Sequence, residues 1–229
     1  MSMKAIILAG GHGSRLLPLT ENKNKTMVEL NGRPIIDYII NSIEKSGIKE
    51  ITIVANRFIE DIQNHVGDKA SFVLEETPMG VANAINLARN GNEGCNLLLW
   101  FADNLTNIDL NPEVRRFNEG ALLLSREVDR PGDFGIAVLK NGVVVDIEEK
   151  PANPPSNLAI GGIYLFDETF WERFDEVSLE EKFSISDVSR QYVKQGLARI
   201  ISIGDNSWLD CGTPENLKIA EKLVKQGIF

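Results

Sequence analysis

Cysteine and histidine are nearly missing from this chain, with two of each in 229 residues. Cys95 and Cys211 form no CxxC pair, and two histidines are too few to complete a zinc cluster with them. The expectation is a cytoplasmic chain with reduced thiols. Positive charge is also short, at 24 Lys and Arg against 33 Asp and Glu, for a net charge of −9. Nucleic-acid backbones are held by clustered Lys and Arg, so a nucleic-acid partner is not expected. An anionic substrate would instead have to be met by local cations working against the overall field. No apolar run approaches the length that crosses a bilayer. The chain enters its first apolar run without the basic, apolar and small-residue succession of a signal peptide. No membrane partner is expected. Internal repeats, low-complexity tracts and a clear domain boundary are also absent.

What remains is the composition of an ordinary globular protein, 43% hydrophobic and 25% charged. The length fits one α/β domain over residues 1–229. Strand and helix signals alternate through the first half. Residues 5–9, 51–55, 71–74 and 97–102 are short apolar runs of the kind buried in parallel sheets. Between them, Pro34 opens a helix that carries Ile35, Ile36, Ile39, Ile40 and Ile43 on one side and stops at Gly47. Further helices are expected over 58–66 and 81–88. The second half is richer in strands. Runs at 136–139 and 143–147 are joined by Asn141-Gly142, a strong hairpin signal. Strands are also expected over 121–128 and 160–166, and residues 151–157, with three of the nine prolines, form an ordered loop. Ser184-Ile-Ser-Asp187 has the form of a capping box, and Thr213-Pro214 opens the last helix.

Residues 6–20 are the most informative stretch. An apolar run ends in Ala9-Gly10-Gly11-His12-Gly13-Ser14-Arg15, and Lys25 follows. Glycines at 10, 11 and 13 let the backbone approach a ligand and present N–H groups to an anion. A dinucleotide fingerprint would want a third glycine where Leu16 stands and an acidic residue where Asn56 stands. A Walker A loop would need Gly-Lys-Ser/Thr. Arg15 and Lys25 suit a triphosphate, since each can neutralise charge moving onto a departing pyrophosphate. Asp103 closes the most apolar strand, at a carboxyl end where open α/β sheets bind ligands. Asp210, in Trp208-Leu-Asp-Cys-Gly-Thr213, is a second candidate for the same metal ion, expected to be Mg2+, with a turn or helix-cap aspartate as the alternative reading.

Five segments in order resemble the sugar-1-phosphate nucleotidyltransferases, most closely the glucose-1-phosphate thymidylyltransferase type. They are Leu8–Leu16 with Pro18-Leu-Thr20; Lys25–Pro34; Phe101–Asn104; Glu148–Pro151 with Gly162–Asp167; and Trp208–Thr213. The resemblance implies a Rossmann-like, mostly parallel, doubly wound sheet with an inserted β-rich sugar-binding portion. Residues 1–110 would be mainly the nucleotide half and 111–229 mainly the sugar-phosphate half. It implies a reaction in which an NTP and a sugar 1-phosphate give an NDP-sugar and pyrophosphate. Heptose 1-phosphate, an amino-sugar phosphate and phosphocholine stay open as acceptors, as does a non-catalytic nucleotide-binding regulator of the same fold. Carried over by position, Ala9, Gly10, Gly11, Gly13 and Ser14 would cradle the triphosphate. Arg15 and Lys25 would be catalytic, and Asp103 and Asp210 would hold Mg2+. Glu75 and Gly80 would meet the base. Asn104, Gly135, Glu149, Lys150 and Ile160 would bind the sugar phosphate. Oligomerisation with identical copies stays open. Glu75 departs from the glutamine of thymidylyltransferases. An ionised carboxylate only accepts hydrogen bonds. It suits the amine of cytosine or the donor edge of guanine, so strict thymidine specificity is not expected.

Overall fold

The structure is a computed structural model that describes residues 2–179 and 182–229. Its strands are β1 (Met3–Leu8), β2 (Glu29–Leu30), β3 (Arg33–Pro34), β4 (Ile51–Ala55), β5 (Ser71–Leu74), β6 (Asn96–Phe101), β7 (Asn104–Thr106), β8 (Ala121–Glu127), β9 (Gly135–Lys140), β10 (Val143–Glu149), β11 (Leu158–Phe166), β12 (Ala198–Ser202) and β13 (Trp208–Asp210). The helices are α1 (Ile35–Lys45), α2 (Ile59–Val66), α3 (Val81–Leu87), α4 (Asn111–Arg116), α5 (Phe170–Val177), α6 (Ile185–Lys194) and α7 (Pro214–Lys225). One nine-stranded sheet runs β10-β9-β11-β6-β1-β4-β5, with β8 on β11 and β12 on β8. The neighbours β6-β1-β4-β5 are parallel, and β11 lies antiparallel to β6.

Alternation along β1 explains why helices cover both faces. Ala5 and Ile7 join one apolar core with the inner sides of α1 and α2, and Ile6 and Leu8 join the other with α3, α5 and α6. Both faces of the strand are therefore buried, which is why it reads as a continuous apolar run. Pro34 does not open α1. It pairs in the short β2–β3 ribbon and serves as the helix N-cap, so α1 begins at Ile35, one residue later than the sequence suggests. The Asn141-Gly142 turn has positive φ at both residues, 53° and 77°, as a tight two-residue hairpin requires. The capping box at the start of α6 is complete in both directions.

Sheet order decides where chemistry can occur. The carboxyl ends of β1, β4, β5 and β6 open on one edge, and they carry Gly10, Asn56, Glu75 and Asp103 respectively. Gly120, just before β8, anchors the far end. Its N–H donates to Asp167 Oδ2 at 2.6 Å, its carbonyl accepts from the Asp167 N–H at 2.9 Å, and its φ is +83°. A Cβ there would run into the Leu197 carbonyl. Gly120→Ala is expected to destabilise the protein by about 2–3 kcal/mol, read from the urea midpoint at unchanged slope.

Candidate active site

The glycine loop leaves β1 through Ala9, whose carbonyl accepts from Asn24 Nδ2 at 3.0 Å. Gly13 takes φ +65° and caps the short turn of Ser14–Leu16, while Thr20 Oγ1 donates to its carbonyl at 2.7 Å. The loop is closed from behind by Lys25. A Cβ on Gly11 would come within 3.1 Å of Lys25 Nζ, so the lysine ammonium lies against the loop. The same Nζ reaches Asp103 Oδ2 at 2.6 Å, in a pair that is mostly shielded from solvent. Lys25 thus joins the end of β1 to the end of β6.

A second pair stands beside the first. The ribbon of β7 and β13 sets Asn104 opposite Asp210, and the Cys211 N–H donates to the Asp103 carbonyl at 2.6 Å. Arg15 comes in over Gly212, where a Cβ would lie 2.7 Å from Arg15 Nη2 and 2.8 Å from Asp210 Oδ1. Burial pushes the Asp210 carboxyl up, and the neighbouring charge of Asp103 pushes it further. The Gly212 N–H, Arg15 and Lys25 pull against that shift. Two carboxylates and two cations therefore meet at the mouth of the loop.

On the β9–β11 side of this junction lies a cavity of about 470 Å³. Asp103, Asp210, Asn104, Gly135, Glu149, Lys150 and Ile160, singled out in the sequence, all line it. Glu149 is held in place. It accepts from Ser186 Oγ at 2.7 Å near the N-terminus of α6, where a carboxylate is favoured. A Cβ on Gly135 would press on both groups, 2.8 Å from Ser186 Oγ and 3.2 Å from Glu149 Oε2. Lys150 takes φ 44°, and its ammonium is largely exposed, 4.0 Å from Glu149. Asn104 differs from the others because its amide is committed within the protein. It donates to Asp103 Oδ1 at 2.7 Å and accepts from Trp208 Nε1 at 2.8 Å, so it orients Asp103.

Glu75 and Gly80 lie on the β4–β5 side of the loop. Glu75 is 3% exposed and its neighbour Glu76 is exposed, which decides which of the two acids faces the loop. Gly80 has φ +99° and open space around it, at the start of α3. Two features carry no motif signal. Ser186 positions Glu149, and Arg126 and Arg130 line an adjoining hollow of about 690 Å³ together with Arg15 and Lys150. The clue to these arginines is their density within residues 126–130, a stretch otherwise read as strand end and polar loop.

The nucleotidyl transferase family model matches residues 4–227. The chain belongs to this family. Among its relatives is a low-salt glycan biosynthesis nucleotidyltransferase of Haloferax volcanii, 30% identical over 97% of this chain and 66% of that protein. A glucose-1-phosphate thymidylyltransferase of Streptomyces griseus is also 30% identical, over 97% of this chain and 66% of its own length. The chain thus spans slightly less than two thirds of these relatives. Among solved structures, a Bacillus anthracis protein assigned as a glucose-1-phosphate thymidylyltransferase, in complex with sucrose, superposes with a TM-score of 0.90. It is 29% identical, with 98% of this chain and 96% of that one covered. This nucleotidyl transferase therefore shares its architecture, over nearly its whole length, with that solved relative. No helix among its described residues is long and apolar enough to cross a membrane.

Proposed function

We propose that this chain joins an NTP to a sugar 1-phosphate, giving an NDP-sugar and pyrophosphate. One observation carries the reading. The Lys25–Asp103 contact and the Arg15–Asp210 approach meet where the glycine loop borders the cavity containing Glu149 and Lys150. In this proposal residues 1–110 supply most of the nucleotide site and residues 111–229 most of the sugar-phosphate site.

The reaction is an in-line displacement at the α-phosphorus. The incoming oxygen is already a phosphate anion, so no general base is required. Orientation and charge stabilisation supply the rate. The loop amides of Gly10, Gly11 and Gly13, with Ser14, cradle the triphosphate. Lys25 meets charge developing on the α-phosphate, and Arg15 meets the leaving pyrophosphate. Lys150 holds the phosphate of the sugar, and Glu149 accepts from its hydroxyls.

The carboxylates fit a divalent cation. Two shielded acids close enough for Asp103 to raise Asp210 form a donor pair that a hard cation relieves. Among the described residues no group of three or more His, Cys, Asp or Glu forms a metal cage, and Mg2+ needs only one or two carboxylates when phosphate oxygens supply the rest. Asp103 and Asp210 would hold Mg2+ there, and the ion would supply positive charge against the phosphates.

The direct test is pyrophosphate release from a panel of NTPs against a panel of sugar 1-phosphates, with heptose and amino-sugar phosphates and phosphocholine included. Turnover with a sugar 1-phosphate is expected. Absence of turnover with every pair would overturn the reading, and binding without turnover would favour a nucleotide-binding regulator. Gly135→Ala checks the sugar side. By pushing Glu149 off Ser186 it should raise KM for the sugar phosphate about tenfold or more and leave NTP affinity unchanged. An unchanged KM would remove Glu149 from the sugar site.

A further inference from the structure

The sheet order dictates on which side of the loop the nucleoside must lie. The sugar-phosphate cavity occupies the β9–β11 and β6 side, and the phosphate loop leaves β1. The rest of an NTP held in that loop must then extend the other way, over the ends of β4 and β5. That side ends in Asn56 and Glu75.

Both residues present acceptors. Glu75 is 3% exposed, and among the described residues Asn83 is the side chain that donates to it, from Nδ2 to Oε1 at 2.9 Å. No basic side chain is paired with it among those residues. Its Oε2 faces Gly10 so closely that a Cβ on Gly10 would lie 2.5 Å away. Asn56, 2% exposed, gives its Nδ2 to the Gly10 carbonyl, and its Oδ1 is buried with no partner. A buried acceptor without a donor is costly, and a carboxylate more so, unless a ligand supplies the donors.

We infer that Glu75, oriented by Asn83, selects guanine, so that the nucleotide substrate of the proposed reaction is GTP. This rests on the transferase reading for the position of the phosphates. The reason is the pattern of donors on each base edge. Guanine presents N1–H and the N2 amino group side by side, two donors for the two oxygens of one carboxylate. Uracil and thymine offer a single N3–H between two carbonyl oxygens, which would face the carboxylate unfavourably. Cytosine and adenine each pair one amino donor with a ring nitrogen acceptor. An ionised carboxylate donates to none of these acceptors. A site whose buried polar groups match one pattern rejects ligands that leave them unpaired.

Calorimetric titration of the full chain with GTP, dGTP, CTP, UTP, dTTP and ATP in Mg2+ tests the assignment. GTP is expected to bind at least tenfold tighter than CTP, UTP, dTTP or ATP. Glu75→Gln should erase that advantage and improve UTP and dTTP, because an amide both donates and accepts. Preference of the wild-type protein for any other base overturns the proposal, whether or not the variant folds. A folded Glu75→Gln protein with an unchanged ranking also overturns it. Discrimination between GTP and dGTP without base preference would reassign Glu75 to the ribose and likewise overturn it. Failure of every nucleotide to bind overturns both the base assignment and the transferase reading. Selective GTP binding with no pyrophosphate release from any acceptor removes the transferase reading and leaves the base assignment standing. Pyrophosphate release with UTP or dTTP preferred does the reverse.

Discussion

Lys25→Ala is expected to lower kcat by about 1000-fold while changing nucleotide affinity by less than about tenfold. The expectation follows from where the ammonium sits. It touches the loop at Gly11 and Asp103 at once, so it is aimed at the point where phosphate charge would redistribute. An interaction made more strongly in the transition state than in the ground state appears in kcat rather than in binding. A purely structural role predicts something else. Lys25 and Asp103 are largely shielded, and removing one partner of a shielded pair destabilises the fold. Lys25→Arg separates the two roles. Arginine restores charge and pairing but changes the donor geometry. Melting temperature should therefore recover in Lys25→Arg while kcat stays well below wild type. If both recover together, or if Lys25→Ala keeps full activity, Lys25 is a structural cation and the phosphate assignment is wrong.

Local signals carried much of this architecture. The apolar runs of β1, β4 and β6, the Asn141-Gly142 turn and the capping box of α6 are short-range features, and short-range physics decides them. Helix α5 is not among the helices expected from the sequence, although Phe170, Trp171, Phe174 and Val177 have helical spacing and are all buried. Its weakness as a signal is its length of eight residues. The meeting of Asp103 with Asp210 is different. It depends on the pairing of two three-residue strands about a hundred positions apart, with Asn104 set opposite Asp210. Strands so short have no periodicity to read, so the sequence offers Asp210 as a candidate for the metal of Asp103 without showing how the two meet. The choice between Glu75 and Glu76 was likewise set by tertiary contact, because space beside Gly10 exists only once β1 and β5 are in one sheet. Ser186 shows a third limit. Its position in a helix cap is legible, whereas its hold on Glu149 is not.

Function and stability are expected to oppose each other at Asp210. Its carboxyl is raised because burial and the Asp103 charge disfavour ionisation. A carboxylate whose folded value is raised costs nothing below its unfolded value, near pH 3.9. The cost develops as pH rises and is complete above the folded value. Asp210→Asn keeps an oxygen for the Gly212 N–H, bonded at 2.6 Å, and removes the charge. The metal-free variant should therefore melt higher than wild type at neutral pH, and the gap should close as pH falls towards 4. Added Mg2+ should raise the melting temperature of the wild-type protein in the presence of nucleotide and should have much less effect on the variant. Turnover should fall by about 1000-fold or more, because the variant loses one of the two carboxylates proposed to hold the cation. A capping or turn aspartate would behave in the opposite way, losing stability on substitution and keeping activity. The paired readout thus decides between an aspartate that organises the β13 turn and one that is kept, against the stability of the metal-free fold, for the charge it offers to a cation.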